Sequence, residues 1–280
     1  MASHLSDIGF CYEGFPDFDQ ELEHLIKEAL RGGECLKAPE GQYVVWRPGV
    51  GAELWVQLDE EQTEVIGYNP HFAGPARVPI RITGTFTSEE LPMDGRASGW
   101  VAPPGADAEA EGFPLAVDVP NFTLVREALA LPLDTTVQLA AFSQGLNCYP
   151  DDEAFRHGQR APERRPAARL RRLLRREPPM PVFSAESVIQ PFLRFPGDEE
   201  SEWYADAPKA EMLSAGHVRQ ADLLTNPATG RTFWHIQVHT LGITYDVVAD
   251  PETVTGEPAE GGVVQGHFWL SGRLVELEAG

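Results

Sequence analysis

The chain of 280 residues carries 43 acidic and 22 basic side chains, a formal charge of −21, and is 42% hydrophobic and 23% charged. That apolar content excludes wholesale disorder, and an acidic body of this size repels phosphate backbones and anionic membranes. Its 26 glycines and 24 prolines lie above the average of about 12% for the two together, which favours short strands between turns over long helices. No apolar run approaches the ~18 residues of a membrane helix. The opening Met1-Ala2-Ser3-His4-Leu5-Ser6-Asp7 lacks the basic and apolar parts of a signal peptide, so the expected location is the cytoplasm. Cys11, Cys35 and Cys148 are odd in number, far apart and without CxxC spacing. They indicate neither a disulfide framework nor a thiolate zinc site, and no metal or cofactor is expected.

In chain order the first element is a helix over 16–33. Phe18, Leu22, Leu25, Ile26, Ala29 and Leu30 form one stripe. Asp17 caps it, Gln20 completes a capping box, and Gly32 is the expected stop. From residue 42 the pattern turns to strands at 42–47, 53–58, 65–68 and 78–86, bounded by Pro48-Gly49, Asp59-Glu60-Glu61-Gln62 and Asn69-Pro70. In 53–58, Leu54, Val56 and Leu58 face one way and Glu53, Trp55 and Gln57 the other. Asn69-Pro70-His71-Phe72 reads as a turn, either an Asx-turn with an aromatic plug or a loop that presents His71 to a ligand. Further strands are expected at 97–101, 113–119 and 135–142.

Residues 150–182 break this pattern. Between Arg156 and Arg176 lie nine arginines and a single acid, Glu163, among several prolines. A short helix over 167–176 would align Leu170, Leu173 and Leu174. Guanidinium forks suit phosphate and carboxylate, so Arg165, Arg169, Arg172 and Arg176 are candidate contacts for RNA, an anion or a partner. The plainer reading is an arginine-rich linker folded back on its acidic body. Acid clusters at Asp151-Asp152-Glu153 and 198–202 flank the stretch and lack the spacing and central glycine of a calcium loop.

The last third reads as strands at 210–224, 231–240, 243–249 and 262–270. With a Leu241-Gly242 loop, His239 faces Thr244, Gln237 faces Asp246 and His235 faces Val248. Val238, Ile236 and Trp234 then meet Tyr245, Val247 and Ala249 on a uniformly apolar face. A type I′ turn would want Asn or Asp at Leu241. Gly266 marks a bend, and the spacing predicts a small barrel of the OB type. Gly51-Ala-Glu-Leu-Trp-Val-Gln-Leu and Gly230-Arg-Thr-Phe-Trp-His-Ile-Gln raise a possible repeat of the two β regions.

Candidate chemistry centres on that hairpin. His235 and His239 are spaced i, i+4, but on a strand four residues span about 13 Å, too far for one metal. The candidate pair is therefore His239 with Asp246, Gln237 lying between them. His267 and His217 join only if the barrel brings them round, and a solvated polar face is the alternative. GxGxxG, Walker, GxSxG and HExxH motifs are all absent.

Five blocks, Gly51–Leu58, Asn69–Phe72, Asp118–Phe122, Val137–Phe142 and Gly261–Arg273, resemble those of an uncharacterised family of bacterial proteins. The resemblance covers both β regions but not the arginine stretch. It implies a bacterial, cytoplasmic, two-part β-rich protein and transfers no site residue.

Together these readings predict a mainly β protein, α+β at the margin. An N-terminal helix lies on a β module over 1–155, an Arg/Pro-rich linker or insertion covers 156–182, and an OB-like β module covers 183–280. The expected function is non-catalytic binding of another protein, anchored near Trp55, Trp234 or Trp269. A hydrolase using the 235–246 hairpin with His267 is the alternative, and RNA binding through the arginines the third.

Overall fold

The computed structural model describes residues 4–88, 91–101, 112–164, 183–190 and 207–277. It is mainly β, the class the sequence predicts. Residues 4–10 run as a strap that buries Leu5, Ile8 and Phe10. Helix α1 (Phe18–Gly32) starts at Asp17, whose carboxylate accepts from the Gln20 N–H at 3.0 Å. The Gln20 side chain returns to the other carboxylate oxygen, not to the backbone of a true capping box. The helix stops at Gly33, not Gly32, in extended conformation. A Cβ at Gly33 would lie 2.6 Å from Val44 Cγ1 and 2.7 Å from Ala29 O, so close approach to the sheet calls for glycine there.

Four antiparallel strands follow in the order β1-β2-β3-β4: β1 (Glu34–Ala38), β2 (Gly41–Gly49), β3 (Ala52–Leu58) and β4 (Val65–Phe72). β1 was not anticipated. The expected turn at 69–72 is instead the end of β4, with Leu54 opposite Pro70 and Glu53 opposite His71. β4 lies at the sheet's edge, the place where a proline's missing N–H breaks no second ladder. β3 alternates as predicted, but both its faces are covered. Leu54 and Val56 pack with α1 and the strap, while Trp55 packs with Tyr43, Val45 and Met93.

The second sheet has ten strands. They are β5 (Val78–Thr87), β6 (Gly95–Val101), β7 (Phe113–Asp118), β8 (Leu133–Tyr149), β9 (Ser187–Ile189), β10 (Glu211–Thr225), β11 (Thr232–Thr240), β12 (Ile243–Ala249), β13 (Val254–Thr255) and β14 (Val263–Arg273). Helices α2 (Phe122–Val125) and α3 (Asp152–Arg164) flank β8 in sequence. The path runs β11-β12-β8-β5-β6-β7-β14-β10-β9, and it closes because β10 also pairs with β11 and β8 with β14. β8 and β14 thus belong to two fused circuits, one completed by β5, β6 and β7, the other by β10, β11 and β12.

The two circuits have the same topology. β5, β6 and β7 form an antiparallel meander, and β8 returns antiparallel to β5. β10, β11 and β12 do the same, and β14 returns antiparallel to β10. Each meander's third strand pairs in parallel with the other unit's last strand, β7 with β14 and β12 with β8. The repeat of strands is therefore 78–149 against 211–273. The Gly51 and Gly230 blocks fall in different sheets and are not equivalent.

This arrangement corrects the expected division. The barrel foreseen within 183–280 takes β8 from the first half, so strands from both β regions form one sheet. The boundary at 155/156 falls inside α3. The helix over 167–176 and Arg165, Arg169, Arg172 and Arg176 lie outside the described residues, as does the 198–202 acid cluster. Alternate residues of the shared strands fill the interior, among them Val137, Leu139 and Ala141 of β8 and Phe268 and Leu270 of β14. Each fully buried Leu, Val or Phe contributes about 1.5–3 kcal/mol. On the outer side, Ala140, Phe142, Phe233 and Val248 pack against Leu54, Val56, Phe72 and the strap.

Candidate functional site

The β11–β12 register is the one the sequence predicts, with His239 opposite Thr244, Gln237 opposite Asp246 and His235 opposite Val248. The side-chain partnership differs. Asp246 is fully buried, and its Oδ2 accepts from the Ala76 N–H at 2.8 Å. That bond turns Oδ1 towards His235 Nε2, also at 2.8 Å. His239 pairs instead with Thr244 Oγ1 at 3.1 Å, so the expected His239–Asp246 pair does not form. Gln237 remains half-buried. His267 lies 3.3 Å from Glu211, and His217 sits beside Asp152 and Glu186; neither joins the pair.

His71 is buried in a second node beside the first. Its Nδ1 lies 2.8 Å from Ser271 Oγ and its Nε2 3.3 Å from Gln138 Oε1. The Gln138 amide donates to Gly74 O at 2.7 Å. Its oxygen therefore faces the ring, and the hydrogen belongs on His71 Nε2. Residues 74–76 thus touch both nodes, Gly74 O serving Gln138 and Ala76 N–H serving Asp246. The Phe72 ring closes the gap, 4.7 Å from the His235 ring.

Three further nodes continue this seam between the four-stranded sheet and the ring. Glu53 accepts from Arg47 Nε at 2.7 Å, Trp55 Nε1 at 2.8 Å and Arg273 Nη1 at 3.1 Å. Burial alone would push its carboxyl up, but His71, Arg273, Arg47 and Trp55 together hold it below the ordinary range. Asp94 accepts from Gln57 Nε2 and Asn69 Nδ2 at 2.6 and 2.7 Å. Desolvation there outweighs the two amides and raises its pKa. Asp118 takes Arg96 Nε at 2.7 Å, Arg96 Nη2 at 3.2 Å and Trp269 Nε1 at 2.7 Å. Trp269 in turn stacks on His4 at 5.0 Å.

Reading the sequence missed Glu53, Asp94, Arg96, Asp118, Gln138, Ser271 and Arg273. The one available signal was the polar row Glu53, Gln57 on a strand whose other face is apolar, and it looks the same whether that row meets solvent or a second sheet. Chemically the seam is saturated. Ser271 beside His71 has the makings of a nucleophile and base, yet they are 1% and 0% exposed. No group of three His, Cys, Asp or Glu among the described residues can hold a metal. No helix among them is long and apolar enough to cross a membrane. Of the expected aromatic anchors, Trp55 is buried and Trp234 and Trp269 are half-buried. Large exposed apolar side chains lie elsewhere, and two of them, Ile189 at 43% and Leu213 at 37%, face each other across β9–β10. No protein-family model, curated protein or solved structure matches the chain.

Proposed function

We propose that the chain is a non-catalytic protein-binding module of the bacterial cytoplasm. The carrying observation is the β9 edge. Among the described residues β9 ends the strand path, and its Ile189 stands opposite Leu213 with both residues exposed. A terminal strand offers unpaired backbone groups to an added strand, and adjacent apolar side chains supply the pockets that give selectivity. The acid–base residues support the same reading from the other side, because their hydrogen bonds are satisfied within the protein. The test is capture from a lysate of the source organism by the full chain and by an Ile189→Glu/Leu213→Glu variant with unchanged circular dichroism. A specific protein retained by the first and lost by the second supports the module. Equal retention by both, or retention by neither, overturns it.

One observation favours a second reading, a hydrolase-type enzyme: the carboxylate–imidazole pair of Asp246 and His235. It requires a turnover abolished by His235→Ala in a substrate screen, with folding intact.

A further inference from the structure

His217 lies in β10 at the point where three parts of the chain meet. Its Nε2 is 3.3 Å from Asp152 Oδ1 at the start of α3, and its Nδ1 is 3.4 Å from Glu186 Oε1, just before β9. The two carboxylates address opposite nitrogens, so they cannot share one metal ion with the ring between them. A neutral imidazole has one N–H and one lone pair, whereas the imidazolium has an N–H on each nitrogen. In the neutral ring one of the two carboxylates therefore faces a lone pair, and both contacts are favourable only when the ring is protonated.

We propose that His217 is a proton-operated latch that clips α3 and residues 183–190 to the ring when charged and loosens both when neutral. The charged and titratable neighbours are few. β11 contributes His239, the Cα partner of His217, which is occupied with Thr244. β14 contributes the apolar Val263. In α3, Asp151 caps the Ala154 N–H at 2.7 Å, and Glu153 lies 3.8 Å from His157. Arg156 of α3 adds a cation whose Nε donates to the Asp152 carbonyl at 3.0 Å, and among the described residues Asp152 and Glu186 are the carboxylates that His217 meets.

Opening the latch does not unfold the ring. Phe155 of α3 is buried with Ala215 and Val263, and the Gln159 side chain bonds Gln265. These contacts keep α3 near its seat, so the effect is one of local opening. His217, Asp152 and Glu186 are 29%, 52% and 44% exposed at the side chain. Pairs this open are worth a fraction of a kcal/mol each, about a fivefold change in opening for the two together.

The test is hydrogen exchange of the full chain at about pH 5.5 and about pH 8.5, corrected for intrinsic chemical exchange. The expected result is about fivefold faster opening of α3 and of 183–190 at the higher pH, with β8 and β14 unchanged. His217→Gln should open fast at both pH values, and His217→Lys, which keeps the charge, should stay protected at both. His239→Gln should behave as the wild type. A pH difference that survives in His217→Gln, or that disappears in His239→Gln, overturns the latch. So does a wild type whose α3 and ring strands respond to pH alike.

Discussion

His235 reaches diagonally across the β11–β12 hairpin to Asp246, Nε2 to Oδ1 at 2.8 Å, although Gln237 is the residue directly opposite Asp246 in the ladder. The segment before β5 decides the choice, because the Ala76 N–H claims the other carboxylate oxygen. Removing the carboxylate leaves a buried imidazole N–H and a buried backbone N–H without acceptors. Asp246→Ala is therefore expected to lower stability by about 2–5 kcal/mol, at about 1–3 kcal/mol for each buried donor left unsatisfied. A Cβ on Gly74 would lie 2.2 Å from Asp246 Oδ2, so Gly74→Ala should disturb the same node from the opposite side. Urea unfolding of the two single variants and the double variant checks this. Sub-additive losses are expected, and full additivity would mean that the two positions are independent.

Glu53 links residues that are distant in sequence, since Arg47 of β2 and Arg273 at the end of β14 meet on its carboxylate. Its folded pKa is below the ordinary value despite burial. The folded state therefore holds fewer protons than the unfolded one between the two values. That contribution is present above the unfolded carboxyl value near 4.3 and is lost as pH falls through the folded one. Glu53→Gln should reduce stability near neutral pH by about 2–4 kcal/mol, because two guanidinium groups lose their shared anion. It should also flatten the acid limb of the stability curve. A variant that loses stability equally at all pH values would show that packing, not charge, holds this node.

The strands and their register could be read from alternation alone, because a one-residue slip in 233–249 would put Ile236, Val238, Tyr245 and Val247 in water. Which polar residues meet could not be read. Glu53, Gln57, Asn69 and His71 look like the solvent face of a strand until a second sheet covers them, and that cover comes from Asp94 before β6, Gln138 of β8, and Ser271 and Arg273 of β14, far along the chain. Tertiary contacts of this kind leave no local periodicity. The same ignorance of long-range pairing made the two β regions look like separate modules, when β8 and β14 belong to both circuits.

Asp94 behaves oppositely to Glu53. Its neighbours Gln57 and Asn69 donate to Oδ1, but burial raises its pKa. The folded state then holds the proton more tightly, so the contribution is present below the unfolded value and is lost as pH rises through the folded one. Near neutral pH the ionised group works against the fold. Asp94→Asn keeps an Oδ1 acceptor for both amides and removes the charge, so thermal stability should rise near neutral pH and stay unchanged near pH 3, where the aspartate is largely protonated in both states. A loss at neutral pH would mean that the negative charge is needed, most directly by Arg96.

Leu241, like Val50 at φ +50°, sets residue and backbone in local conflict. It adopts φ +46° and Gly242 φ +81°, the left-handed pair of a type I′ turn. A branched side chain in that region costs about 1–2 kcal/mol, whereas asparagine visits it routinely. The Leu241 side chain is 39% exposed, so little burial is forfeited by replacing it. Leu241→Asn is expected to stabilise the protein by about 1 kcal/mol, a rise in Tm of about 2 °C for a chain of this length. Calorimetry on the two proteins decides it. Because the β11–β12 register also rests on its apolar face, the substitution should leave the native fold unchanged and slow unfolding only if the turn is open in the transition state. A fall in Tm would mean that Leu241 makes a contact worth more than the strain its backbone carries.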